Sequence, residues 1–199
     1  MTLSSPVAAQ DFDKGWAAAE AEDFSTALKE WRPLAEQGNA QGQFGLGFLY
    51  FLGKGVLQDY RQAFKLYKLA ADQNNPDAQI SLASLYQDGL GVIQDYESAR
   101  FWYGEAAKQG SALAAGTFGY NYSKGTNGFL KDNVMAHAWY NIASANGATE
   151  VGILDAKDMT QWYGSQRDLA AYDMTSEDIS KAQAMARKCM ESNYKECGY

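Results

Sequence analysis

The sequence predicts an all-α fold, built as an array of antiparallel helix pairs and closed by C-terminal capping helices. Three observations carry this expectation. One pattern is written twice, with Leu46, Gly53, Asp59 and Tyr67 recurring 36 residues later as Leu82, Gly89, Asp95 and Tyr103. A fixed period of this size marks a repeat array, whose units bury their apolar faces against one another. Within each copy, apolar residues such as Leu46, Leu49 and Tyr50 fall at i, i+3 and i+4, one face of a helix. Only three prolines interrupt the 199 residues, which suits a mostly helical chain.

Residues 11–38 read as a variant first unit. Phe24, Ala27, Trp31, Leu34 and Ala35 stand 36 residues before Tyr60, Ala63, Tyr67, Ala70 and Ala71. The preceding helix, about 12–21, lacks a Gly-x-Gly loop. Glu22-Asp23 forms a tight turn instead, with Asp23 as N-cap, because a short carboxylate accepts the free backbone N–H groups of a first turn.

The second unit (39–75) and third unit (76–111) each read as helix A, glycine loop, helix B. Gly53 and Gly89 stand where helix A ends, a position that often takes positive φ. Val56 and Val92 are expected to turn inward. Asp59 and Asp95 cap helix B, and Asp59 with Gln62 fits a capping box. Asn75-Pro76 supplies a cap and a proline at the first helical position. The fourth unit (112–148) departs from the pattern. Asn121 replaces the leucine found at 85, and one residue is inserted within Gly125-Thr126-Asn127-Gly128, so Asp132, Ala136, Tyr140 and Ala143 follow the third unit at 37.

After 148 the period is lost. Two short helices are expected at about 149–162 and 165–172. A last one, capped by Thr175 with Asp178, runs to about 193. Ile179, Ala182, Ala186 and Cys189 trace its apolar face. Residues 149–199 thus form the atypical cap of the array.

The formal net charge of −7 disfavours nucleic acid and anionic membrane surfaces as partners, since both select basic patches. No run approaches the ~18 apolar residues of a transmembrane helix. Residues 1–10 read as the remnant of an export signal, with Val7-Ala8-Ala9 at its end, or as a short disordered tail. In one continuous helix Cys189 and Cys197 stand about 12 Å apart at ~1.5 Å per residue. A disulfide spans only roughly 4.4–6.8 Å between Cα atoms, so bridging needs the helix to turn back near Asn193-Tyr194-Lys195. With the signal remnant, the bridge and a periplasmic or secreted location are favoured over two free thiols.

The Leu-Gly-x-x-Tyr-x-x-Gly-x-Gly-Val-x-x-Asp string of 46–59, its copy at 82–95, and the pairs Trp102-Tyr103 and Trp139-Tyr140 ahead of alanines resemble the Sel-one-like repeat (SLR) family. That family is a branch of the tetratricopeptide-like (TPR-like) α-solenoids, and the resemblance covers about 12–148. The stretch from Arg167 to Thr175, with Ala182-Gln183, is similar to tails that follow such repeats in bacterial members. The resemblance implies a right-handed superhelix of antiparallel helix pairs. It also implies an adaptor or scaffold role, including in the bacterial envelope, with no catalytic residues carried over.

Enzyme chemistry has little support in the residues. His137 is the sole histidine and matches Arg100 and Phe64 in other units, so its slot tolerates unlike side chains. Zinc normally draws on several Cys and His ligands. The glycine loops follow a helix, whereas a phosphate loop follows a strand. No cofactor and no metal are expected.

The positions that vary between units are more informative. Helix A of an α-solenoid usually lines the concave surface. There Phe44, Phe48 and Phe51 of the second unit share one helical face, Gln87 lies on the third and Tyr120 on the fourth. These five are the candidate partner-binding residues. Two readings stay open for the phenylalanines: an exposed patch for a protein or peptide partner, or packing against the variant first unit. The functional expectation is a protein–protein interaction scaffold in the bacterial envelope. The alternatives are a cell-wall or polysaccharide-binding module, since exposed Tyr and Trp stack on sugar rings, and a hydrolase using acidic residues of the groove.

Overall fold

The computed structural model describes residues 11–147, 156–192, 194, 195 and 197. Among these it contains ten α-helices. The chain divides between Gln94 and Asp95 into two compact units. The first holds α1 (Phe12–Glu20), α2 (Phe24–Glu36), α3 (Ala40–Leu52), α4 (Tyr60–Ala71) and α5 (Pro76–Asp88). The second holds α6 (Tyr96–Lys108), α7 (Ala112–Lys124), α8 (Asn133–Asn146), α9 (Ala156–Ala171) and α10 (Ser176–Glu191). The division falls inside the third repeat, between its helix A and helix B. No helix among the described residues is long and apolar enough to cross a membrane.

Capping sets the repeat boundaries. Asn39, Asn75 and Ser111 cap the A helices α3, α5 and α7, each accepting a backbone N–H from three residues ahead. Asp23, Asp59, Asp95 and Asp132 cap the B helices α2, α4, α6 and α8. At Asp59 the capping box is only half formed. Its carboxylate accepts from Arg61 and Gln62, while its own N–H goes back to the Tyr50 carbonyl at 3.0 Å. That bond folds the glycine loop onto the end of α3. Gln58 and Gln94 tighten it from the same register, donating from Nε2 to the carbonyls of Phe51 and Gln87 at 2.9 and 2.7 Å.

The glycines of the loop have two separate reasons. Gly53, Gly89 and Gly125 end helix A in the left-handed region, where a Cβ is strained. Gly91 combines φ +73° with a close approach, because a Cβ there would lie 2.4 Å from the carbonyl of Tyr60. The loop of the third repeat therefore rests directly on the start of α4, and no side chain fits between them.

The core of the first unit is aromatic against small residues. Trp31 on α2 is fully buried. A Cβ at Gly15 on α1, or at Gly45 on α3, would meet its indole at less than normal contact distance. Its Nε1 donates to the Phe12 carbonyl at 3.1 Å, so the polar tip of a large apolar side chain is satisfied. Tyr67 holds the same register on α4 and lies against Gly47, and Tyr140 on α8 lies against Gly119. Burial pushes the Tyr67 phenol well above its ordinary value, with the Ser81 hydroxyl as its partner. The buried carboxylate of Glu30 is held by Lys14 and by the backbone N–H of Asp11, which staples α1 to α2.

The second unit departs from the sequence reading in one element. Two short helices were expected after 148, and α9 is instead continuous from Ala156 to Ala171. Gly164 and Ser165 are accommodated within it. A Cβ at Gly164 would lie 3.7 Å from the Ser144 hydroxyl of α8, an ordinary contact, so the helix runs through this position without a clash. The expected helical stretch 149–155 lies outside the described residues, as does the expected signal remnant 1–10. Ala182, Ala186 and Cys189 of α10 are buried, with Ile179 half-buried.

Candidate functional site

Each A helix offers one face to its own unit's core and leaves a second partly open. In the first unit that second face carries Phe44, Phe48 and Phe51 on α3. Phe44 is buried, with ring centroids 6.3 Å from Trp16 and 5.9 Å from Tyr67. Phe48 is half-buried and packs 5.7 Å from Trp16. Phe51 is half-buried, edge-on to Tyr60 at 5.6 Å. Trp16 on α1 thus meets two of the three phenylalanines. The variant first unit lends its aromatic to α3 where a regular glycine loop is missing. Gln87 on α5 is half-buried, and its carbonyl is engaged by Gln94. Ser84, one turn before it, is also half-buried, and the charges on this face stand at its two ends, Asp77 in the first turn and Asp88 in the last.

Tyr120 lies in the second unit and is 46% exposed. It holds the register of Phe48, but no aromatic is recorded against its ring among the described residues. Beside it, Ser123 donates from Oγ to the Tyr120 carbonyl at 2.8 Å. The structure therefore grades the five candidates. Phe44 belongs to the interior, Phe48, Phe51 and Gln87 are half-buried, and Tyr120 is exposed.

The departures of the fourth repeat form one local device. Asn121 is 1% exposed, and its Oδ1 accepts from Asn127 Nδ2 at 2.9 Å and from Thr126 Oγ1 at 3.3 Å. Asn127 itself has φ +54°. The buried amide thus holds the enlarged loop whose extra residue breaks the 36-residue spacing.

His137 is 3% exposed on α8. Burial, and then the nearby Arg167 guanidinium, push its pKa below the ordinary value. Its Nδ1 faces the Asn141 amide at 3.4 Å, and Asn141 in turn lies 3.5 Å from Arg167 of α9. The equivalent Arg100 stacks on Phe129 and donates to the Gly128 carbonyl, while Phe64 packs edge-on against Tyr86. This slot reaches forward to the next element in each repeat, which explains its tolerance of unlike side chains.

Cys189 and Cys197 are joined, with Cα atoms 4.5 Å apart. The helix ends between them. Ser192 caps α10, Tyr194 takes φ +63°, and its N–H returns to the Cys189 carbonyl. The Tyr194 hydroxyl donates to Asn146 Oδ1 at 2.6 Å, which ties this turn to the end of α8.

One surface feature escaped the sequence reading. Leu57, Ile93 and Leu130 occupy one register in three glycine loops and are 90, 88 and 86% exposed. Each follows an inward residue, Val56, Val92 or Phe129. The signal was present as three aliphatics at one repeat position, but the paired valines drew it into the core pattern.

Residues 40–75, 76–111 and 112–147 each match the Sel1 repeat. Among solved structures, a Sel1 repeat protein from Oxalobacter formigenes is similar at 28% identity. It aligns over 90% of this chain and 75% of its own, with a TM-score of 0.63. A protective antigen present in uropathogenic Escherichia coli strains, which displays an SLR fold, aligns over 94% of this chain at 24% identity and a TM-score of 0.51. This chain spans just under half of that protein, at 46% of its length, and the likeness bears on fold alone. No curated protein matches the chain. With more than half of its length matched in three consecutive repeats whose glycine loops, caps and aromatic columns all hold register, the chain belongs to the Sel1 repeat family, an all-α solenoid class whose repeats generally act as protein–protein interaction modules.

Proposed function

We propose that the chain is an interaction scaffold that takes a protein or peptide partner on the open faces of its A helices. In the first unit the contact residues are Phe48, Phe51 and Gln87. In the second unit Tyr120 makes a separate contact. Phe44 supports the first patch from beneath. The observation that carries this reading is the contrast within one register. Phe48 and Tyr120 are equivalent aromatics, one partly covered by Trp16 and the other 46% exposed. Aromatic anchors held by a rigid scaffold are the usual energetic centres of protein interfaces. The first patch is uncharged, which suits an apolar segment with free backbone amides.

Location in the bacterial envelope, periplasmic or secreted, is part of this proposal. It rests on the joined cysteines, since disulfides persist in oxidising compartments. The test is affinity capture from host extract with the wild type, Gln87→Arg and Tyr120→Asp, after far-UV circular dichroism confirms folding. The expected result is a protein bound by the wild type and lost by at least one variant. Capture unchanged by both variants overturns the assignment of these faces.

A second reading has its own observation. Leu57 and Ile93 stand on the loop edge of the first unit, almost wholly exposed. A partner lost on Leu57→Lys, and kept by Gln87→Arg, would place binding on that edge instead.

A further inference from the structure

α9 is fastened to α8 by more than apolar packing. The Ser144 hydroxyl of α8 bonds to the Thr160 carbonyl of α9 at 3.2 Å. A second polar fastening is a relay of three side chains. Arg167 of α9 reaches Asn141 Oδ1 on α8 through Nη1 at 3.5 Å, and Asn141 Nδ2 lies 3.4 Å from Nδ1 of His137, one turn earlier. Asp168 holds the guanidinium in place, accepting from its Nε at 2.8 Å and pairing with its Nη2 at 2.7 Å.

The order of donors in this relay sets the protonation of the histidine. Arginine carries only donors. The Asn141 oxygen therefore turns to Arg167, and the amide N–H groups are left facing His137. A ring nitrogen facing a donor has to accept, so Nδ1 carries no proton and the imidazole is the neutral form with its proton on Nε2. His137 is 3% exposed, so water offers little relief to a charge there.

We infer that His137, Asn141 and Arg167 form a proton-operated latch between α8 and α9, closed while the imidazole is neutral and loosened when Nδ1 takes up a proton. Two donors, imidazolium and guanidinium, then compete for one acceptor, Asn141 Oδ1. If the amide turns over to serve His137, its N–H groups face Arg167 instead. In either arrangement one donor is left unbonded, and two positive charges share a poorly solvated contact. Movement of α9 off α8 relieves both, because it admits water to His137 and carries Arg167 away. The charges that act on His137 both stand on α9: Arg167 opposes its protonation, and Asp168 favours it with the smaller effect. α7 and α10, which also pack on α8, set no charge against it among the described residues. The opened form binds the proton more readily than the closed one. Opening is therefore favoured as pH falls below the ordinary 6.5, and levels off below the lowered value of the closed form.

Two measurements on the full chain test the latch. As the sole histidine, His137 gives a single imidazole titration by proton NMR. It is expected to titrate below 6.5 in the wild type and closer to 6.5 in Arg167→Gln. Hydrogen–deuterium exchange from about pH 8 to pH 5, corrected for the intrinsic pH dependence of exchange, reads the opening itself. Protection of α9 peptides is expected to fall by up to about tenfold per pH unit below the ordinary histidine value, while α3 stays level. His137→Gln, whose side-chain oxygen accepts from Asn141 and does not titrate, is expected to hold α9 protection level over the same range. An α9 that ignores pH overturns the inference, and so does an equal fall in His137→Gln. Where His137→Gln fails to fold, Arg167→Gln, at a half-exposed position, carries the test: an imidazole titration that it leaves unmoved also overturns the latch.

Discussion

Asn121 shows how a single residue reorganises a repeat. Its neighbours in the pattern bury a leucine there, and a buried amide is stable only when its polar atoms are bonded. Here two loop side chains bond it. Replacing it by the leucine of the other repeats should therefore destabilise the chain, by about 1–3 kcal/mol, by orphaning the Asn127 amide. Deleting Asn127 in the same variant should recover part of that loss, a coupling that a double-mutant cycle in urea would measure. Gly91 makes a sharper case. Gly91→Ala combines a left-handed φ with a clash against the Tyr60 carbonyl and should cost about 2–4 kcal/mol. Gly38→Ala, with φ +83° but open space around it, should cost only about 1–2 kcal/mol. Equal losses in the two melts would refute the close approach as the reason for Gly91. The positive φ of the first loop glycine was legible from the pattern. The contact between loop and preceding helix B was not, because it joins residues some thirty positions apart that no local spacing connects.

At the scale of elements, two helices weaken on acidification in different pH windows. Glu30 titrates below its ordinary 4.5, chiefly through its hydrogen bond to Lys14. A depressed carboxylate stabilises the fold above its unfolded value, and that stability is lost as pH falls through the folded value. α1 should therefore loosen only as pH falls below that ordinary value, and Glu30→Gln should flatten this dependence. His137 is a buried base with a lowered pKa, so the unfolded chain binds its proton first. Its stability contribution falls as pH drops below the ordinary 6.5. Amide exchange across a pH series should thus show α8 weakening before α1. Simultaneous loss of protection in both would argue against the separate anchors. Elements of the repeat were readable because caps and apolar spacing recur. α9 was read as two helices because the repeat period is lost after 148, while its packing along α8, with the Ser144 hydroxyl bonded to the Thr160 carbonyl, is a tertiary fact. Phe48 remained open in the sequence for the same reason, since Trp16, which half covers it, belongs to a unit without the motif.

At the scale of the whole molecule, repeat register predicts the helix-pair class, and the terminal segments decide how the array is finished. The Cys189–Cys197 bridge should stabilise the end of α10 by about 2–3 kcal/mol on the chain-entropy account, since it closes a short loop. Reduction should lower the melting temperature by roughly 4–12 °C for a chain of this size. It should also expose the Tyr194 contact to Asn146, and no change on reduction would mean that the bridge is idle. The central claim is that partners engage the A-helix faces. Hydrogen–deuterium exchange of the chain with its captured partner tests this most directly. The account predicts new protection in peptides covering Phe48–Phe51, Ser84–Gln87 or Thr117–Tyr120. Protection confined to the loops bearing Leu57, Ile93 and Leu130 would contradict it.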